Sequence, residues 1–205
     1  IDSKSSIREI SNCNFSILSN SITTLFTVQT PVIFEGVAFD IGLVIAIIVE
    51  NQCAIRNCVF NHIGSASTTI LINPSVSTSV FIENCIFNEQ SSSNVVFVDN
   101  RSPDSTLYFL NCSLLNENSQ PNTRFLYSIS EAVTIDSCNF VQPAGYTNIQ
   151  AIRIDPSSNS IGSFSFINND VFNAINRLIG LLRLYQTPIF ANNTFHDFNR
   201  NRSYF

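Results

Sequence analysis

Apolar and polar positions alternate along this chain in short stretches, and one six-residue string keeps returning. It reads Ile10-Ser11-Asn12-Cys13-Asn14-Phe15, Phe34-Glu35-Gly36-Val37-Ala38-Phe39, Ile55-Arg56-Asn57-Cys58-Val59-Phe60 and Ile82-Glu83-Asn84-Cys85-Ile86-Phe87. It continues as Phe109-Leu110-Asn111-Cys112-Ser113-Leu114, Ile135-Asp136-Ser137-Cys138-Asn139-Phe140, Phe166-Ile167-Asn168-Asn169-Asp170-Val171 and Phe190-Ala191-Asn192-Asn193-Thr194-Phe195. Successive strings begin 21 to 31 residues apart. Self-similarity at such a period means stacked structural units.

Within a string the alternation predicts strand, bend, strand. Ile82 points inward and Glu83 outward. Asn84 takes the bend, because Asn tolerates the left-handed backbone region better than other residues with a Cβ. Gly36 stands at the same place in the second unit, as a positive φ requires. Beyond the bend Cys85 and Phe87 point inward and Ile86 outward. A further apolar strand precedes most strings, as in Thr69-Ile70-Leu71-Ile72, Val95-Val96-Phe97-Val98, Arg124-Phe125-Leu126-Tyr127 and Ala151-Ile152-Arg153-Ile154. Connectors rich in Asn, Ser, Pro and Asp separate these strands. Three short strands per turn describe a coil of a parallel β-solenoid, here all-β with about eight coils in one domain spanning residues 1–205. Only residues 172–185 carry spacing that would suit a helical turn. An antiparallel sandwich would also give short strands, but it has no need to repeat one string at one place.

The Asn-Asn strings at Asn168 and Asn192 resemble those of the right-handed parallel β-helix, or pectin-lyase-like, superfamily, in which bend asparagines stack in a ladder. The resemblance covers essentially the whole chain and implies a right-handed coil. It implies no single function, since the fold carries lyases, hydrolases, esterases, adhesins and phage spikes. This chain has no Asp-Asp pair, no Gly-His-Gly and no close Arg-Pro-Arg string of the kind the pectinase families show. No catalytic residue therefore carries over, and a non-catalytic member is expected.

Composition narrows the partners. Charged residues are 12% of the chain and the net charge is −5, which argues against nucleic acid and anionic membranes. The longest apolar run, residues 41–49, is far short of the roughly 20 residues that span a bilayer. There is one lysine, Lys4, and no methionine, so the chain reads as a processed product, a fragment of something longer, or a stacking subunit. Glycosylation sequons stand at Asn14, Asn100, Asn111, Asn192 and Asn201. With the Ser/Asn-rich surface they point to a secreted or cell-surface protein.

Five cysteines, Cys13, Cys58, Cys85, Cys112 and Cys138, hold one position of the repeat, and only Cys53 lies elsewhere. Disulfides between neighbouring coils are one reading. A ladder of small buried residues under the bends is the other, and Val37, Asn169 and Asn193 at the same position favour it. The Cys53–Cys58 spacing lacks a second ligand pair for zinc, so no metal or cofactor is expected. His62 and His196 read as loop residues without a catalytic partner.

Two candidate surfaces remain. Asn73, Asp99, Ser128 and Asp155 would share a column at the exit of the preceding strand, with Arg153 and Arg183 beside it. This is the alternative, polysaccharide-binding or polysaccharide-degrading reading, although two coils separate the acids, a loose fit to glycosidase geometry. Glu35, Arg56 and Glu83 would form an ion-pair ladder. The other surface is apolar: Phe26, Ile48, Leu71, Phe97 and Leu126 would face outward on successive coils, beside a smaller column of Ala38, Val59 and Ile86. Such a stripe exceeds what monomers usually leave uncovered. It favours a structural or adhesive module that contacts other protein subunits or copies of itself, with glycans as the alternative partner.

Overall fold

The computed structural model of the chain describes residues 9–17, 24–42, 45–64, 68–90, 95–116, 124–130, 132–141, 151–155, 163–172, 179–181 and 186–196. Every regular element among them is a strand, and every pairing is parallel. The chain deals its strands in turn to three sheets, eight to the first, eight to the second and seven to the third. One coil runs Cys53–Arg56, Val59–His62 and Thr68–Ile72, and the next begins at Thr78–Glu83. This is the expected β-solenoid with three strands per coil. Among the described residues seven coils are complete, and an eighth rung holds two strands, Ile189–Ala191 and Thr194–His196, against an expectation of about eight coils. Where a helical turn was conceivable, residues 179–181 form a strand, and residues 173–178 and 182–185 lie outside the described residues.

The corner between the first and second sheets is the most regular feature. Asn12, Asn57, Asn84, Asn111, Ser137, Asn168 and Asn192 have φ between 51° and 56°, and Gly36 has 63°. Each therefore occupies the left-handed region that the repeat predicts for it. From rung to rung the backbone continues across the corner. The N–H of Asn57 donates to Glu83 O at 3.0 Å, that of Asn84 to Leu110 O at 2.9 Å, and that of Asn111 to Asp136 O at 3.0 Å. Side chains add to this: Asn111 Nδ2 donates to Asn84 Oδ1 at 2.7 Å and Asn192 Nδ2 to Asn168 Oδ1 at 3.2 Å.

Because the corner repeats, like side chains stack. Phe15, Phe39, Phe60, Phe87, Leu114, Phe140, Val171 and Phe195 are in register along the second sheet. Phe39 and Phe60 stack with centroids 4.8 Å apart, and Phe60 and Phe87 at 5.1 Å. At Leu114 the aromatic file breaks, and Phe125 of the third sheet fills the space, packing edge-on against Phe87 at 5.2 Å, Phe109 at 5.0 Å and Phe140 at 5.5 Å. The interior is close-packed by exchange of aromatic volume between sheets.

The third sheet corrects one expectation. Its strands kink at their second residue. In Arg124–Ser128, ladder pairing is recorded at Arg124 and Leu126 but not at Phe125, and the N–H groups of Phe125 and Leu126 both donate to Ala151 O, at 2.8 and 3.1 Å. Two consecutive side chains thus turn inward, as a bulge allows. The pairs Ala46 and Ile47, Phe97 and Val98, Phe125 and Leu126, and Ala151 and Ile152 are all buried. Phe26, Phe97 and Leu126 therefore belong to the core and are not part of an outward stripe. Ile48 and Leu71 do face outward, half-buried, in a file with Thr27, Asp99, Tyr127, Arg153 and Gly180.

Two predictions follow from packing and backbone conformation. Leu126→Ser and Phe97→Ser each destabilise the fold by about 3–5 kcal/mol, while Leu71→Ser costs less than about 1 kcal/mol. Denaturant midpoints of the three variants separate core from surface. Ser137, the one bend residue that is neither Asn nor Gly, is the weak corner. Ser137→Asn raises stability by about 1 kcal/mol by easing the left-handed conformation, read as a higher midpoint with unchanged denaturant slope.

Candidate interaction surfaces

The cysteine ladder is internal. All six cysteines are free, and all but the half-buried Cys13 are buried. From Cys58 onward each ladder thiol points at two carbonyls, one on its own strand and one on the rung before. Cys85 Sγ lies 3.3 Å from Glu83 O and 3.4 Å from Ile55 O, and Cys112 Sγ lies 3.4 Å from Leu110 O and 3.3 Å from Ile82 O. The asparagines at the same position do the same work. Asn169 Nδ2 donates to Ile135 O at 3.1 Å and Asn193 Nδ2 to Phe166 O at 2.8 Å. The equivalence extends to acceptance: Cys138 Sγ takes the Cys112 N–H at 3.4 Å, and Asn169 Oδ1 takes the Cys138 N–H at 2.8 Å. A thiol is a weak donor and acceptor of the right reach to replace a carboxamide here. Hydrogen bonding between neighbouring ladder thiols, and then burial, push the Cys85 and Cys138 thiols up, and the same contacts draw Cys112 down. Burial, and then the nearby Cys58, raise Cys53.

The acids and arginines of the alternative site are not gathered into one column. Asp99 stands in register with Leu71 and Tyr127, whereas Ser128 pairs with Asn100 and Ile154 on the next file. Asn73 and Asp155 lie beyond the strands. Each acid is held by an arginine of its own strand end. Arg101 donates to Asp99 Oδ2 through Nε at 3.0 Å and a terminal nitrogen at 2.8 Å, and Arg153 approaches Asp155 Oδ2 at 3.4 Å. The Arg153 guanidinium also lies 5.7 Å from the Tyr127 ring centre. Arg183 falls outside the described residues.

Other sequence readings divide. His62 is not a loop residue. It is fully buried in the second sheet, in register with the equally buried Glu89, with Nδ1 3.2 Å from Thr69 Oγ1. Glu89 escaped the sequence reading, although alternation from Phe87 inward and Asn88 outward places it inside. His196 stacks on Phe172 at 4.1 Å, and its Nε2 lies 3.8 Å from Asp170. Of the expected Glu35–Arg56–Glu83 ladder, Arg56 donates to Glu83 at 2.7 Å, while Glu35 accepts from Asn57. Ala38, Val59 and Ile86 share an outward file as expected.

Among the sequons, Asn14, Asn111 and Asn192 are exposed. Asn100 is fully buried, its carboxamide bonded to Ser105, Ser128 and the Ser102 N–H, so it is no acceptor in the folded protein. Asn201 lies outside the described residues. No helix among them is long and apolar enough to cross a membrane, and no cluster of three potential metal ligands occurs among them.

Two surfaces that the sequence reading missed stand out. On the outer face of the first sheet Phe81 and Tyr108 stack, centroids 4.8 Å apart and planes 5° apart, beside a cleft of about 310 Å³. The last rung leaves Ile189, Phe190 and Phe195 exposed by 54%, 38% and 40%, whereas Phe166 and Val171, on the files of the two phenylalanines one rung earlier, are at 0%.

Alkylation under denaturing, non-reducing conditions should count six thiols. In the native protein Cys13 alone should react at an appreciable rate, as mass spectrometry of the labelled peptides would show; protection of Cys13 or early labelling of Cys85 would contradict the ladder. Comparison with family models, with curated proteins and with solved structures finds no match to this chain, so geometry alone carries the functional reading.

Proposed function

We propose that this chain is a non-catalytic, right-handed parallel β-helix of the pectin-lyase-like superfamily, serving as a structural or adhesive module of a secreted or cell-surface assembly. Its contacts with other protein subunits or copies of itself run through the coil ends. With Phe26, Phe97 and Leu126 in the core, the apolar sheet face no longer supports such contacts. What supports the reading is the last described rung. Phe190 and Phe195 occupy inward files and are more than a third exposed. At the other end Ile10, Cys13 and Phe15 are only partly buried against the core. Both end rungs keep the bend, with φ of 52° at Asn12 and 53° at Asn192. A further rung of the same form would extend the ladders and bury the exposed parts of these rings. The exposed sequon at Asn14 fits an extracellular glycoprotein, whereas Asn111 and Asn192 use Nδ2 in the corner ladder.

The polysaccharide-processing alternative draws little support. The carboxylates at Asp99 and Asp155 are engaged by Arg101 and Arg153, and a rung carrying Tyr127 separates the strands that bear them.

Sedimentation of the native protein over a wide concentration range tests the proposal. Assembly should grow with concentration and weaken at least tenfold in Phe195→Glu, with unfolding midpoints nearly unchanged. A strict monomer unaffected by the substitution would contradict self-stacking. Hydrolysis of an acidic polysaccharide that is lost in Asp99→Asn would overturn the non-catalytic assignment.

A further inference from the structure

The second sheet sets a histidine and a glutamate inside the solenoid. Its strands end on an inward file that runs Ile17, Ile41, His62, Glu89 and Asn116 on successive rungs. His62 and Glu89 are each at 0% exposure. Neighbouring strands lie about 4.8 Å apart, so the imidazole and the carboxyl group sit side by side. From the third sheet Thr69 Oγ1 reaches His62 Nδ1 at 3.2 Å, and the Phe97 ring lies edge-on to the imidazole at 6.1 Å. Both of these neighbours are neutral. The charged groups on the surrounding strands lie on other files. Asp40 stands beside Asn61 and Asp99 beside Tyr127, both outward, and Arg124 shares a file with Thr68 and Val96. Among the described residues, Glu89 is thus the titratable group that faces His62, and His62 the one that faces Glu89. Both strand ends are fixed by backbone bonds at this place: Ile63 N–H donates to Ile41 O at 2.9 Å, and Gln90 N–H to His62 O at 3.0 Å.

We propose that His62 and Glu89 hold a single proton between them in the folded chain, a pH-sensitive latch that makes the corner between the second and third sheets tighter in mildly acidic surroundings than in alkaline ones. The reason is the cost of a net charge in the core. With two protons the pair is a cation on His62 beside a neutral Glu89, and with none it is an anion on Glu89 beside a neutral His62. Either state buries a charge without a counter-charge. One proton gives net neutrality, whichever side chain carries it, and the pair titrates as a unit. The unfolded chain is free of this restriction. There glutamate titrates at about pH 4.3 and histidine at about pH 6.5. Between those values the unfolded chain also holds one proton, so the pair's contribution to stability is level. Above about pH 6.5 the unfolded chain has lost both protons while the folded pair keeps one. Stability then falls as pH rises, approaching tenfold in the unfolding constant per pH unit, until the folded pair releases its proton. Below about pH 4.3 the unfolded chain holds two, and stability falls as pH falls. The latch lies within the third and fourth rungs and operates whatever the coil ends contact.

Denaturant unfolding from mildly acidic to alkaline pH tests this, with the wild-type chain set against the double variant His62→Gln, Glu89→Gln. Neither side chain titrates in the variant, so every other group cancels in the ratio of the two unfolding constants. The ratio should be level from about pH 4.3 to about pH 6.5 and turn against the wild type at higher pH, toward tenfold per unit. The single variants should have slopes of opposite sign. Glu89→Gln leaves a buried neutral histidine, so its stability relative to the double variant falls as pH drops below about 6.5. His62→Gln leaves a buried protonated glutamate, so its relative stability falls as pH rises above about 4.3. A purely structural role for the two side chains would give no such inversion. In the wild-type chain, which needs no substitution to fold, the imidazole NMR signals of His62 should pass through about pH 6.5 without a transition. A ratio that stays level on the alkaline side, slopes of one sign in both single variants, or an ordinary His62 transition at about pH 6.5 would each overturn the proposal.

Discussion

The left-handed corner residue is the constraint on which this fold rests. A positive φ at one residue per coil turns the chain from the first sheet into the second at the same place each time. Neighbouring rungs then superpose, and the corner N–H finds the carbonyl of the next rung, as Asn84 finds Leu110 at 2.9 Å. A slip of one residue would reverse every side chain between interior and solvent. The corner therefore sets register for both sheets at once, and the conformational preference of Asn, or the freedom of Gly36, becomes a tertiary specification.

The residue after the corner extends this logic inward. A small side chain that donates to a carbonyl of the rung before and accepts an N–H suits this position. Cys138 and Asn169 satisfy those demands with different atoms on consecutive rungs. Five cysteines at one position thus need no redox role, because the hydrogen-bonding geometry of the corner accounts for them. Val37 can do neither, yet it is buried at the same place. The remaining backbone bonds of that corner, such as Val59 N–H to Val37 O at 2.9 Å, keep it closed.

Much of this was legible because two periods reinforced each other, the alternation within strands and the string between coils. All eight corners, the files of Phe60, Phe87 and Phe140, and the outward Ile86 could be read from residue type alone. The third sheet could not. Its strands kink at the second residue, so Phe97 and Val98 both turn inward, and no string marks where that happens. Extrapolating strict alternation from Ile70 and Ile72 placed Leu71 correctly but set Phe26, Phe97 and Leu126 on the wrong face. The same strands misaligned Asp99 with Ser128 and Asp155. His62 and Glu89 differ for another reason: a polar side chain by itself suggests a loop, as for His62, whereas position in the alternation puts both inside, in register with each other.

A solenoid built from repeats concentrates its specificity where the repeat is broken. Interior breaks are repaired in place, as Phe125 fills the volume that Leu114 leaves. An outward break has no neighbour to repair it, since the next side chain in the file is two strand spacings away and cannot reach. Ala54 between Ile33 and Phe81 is such a break. The physics that makes the coils stack on one another thus leaves the differences between rungs on the outward files, where Ala54, Phe81 and Thr134 follow one another without a common size.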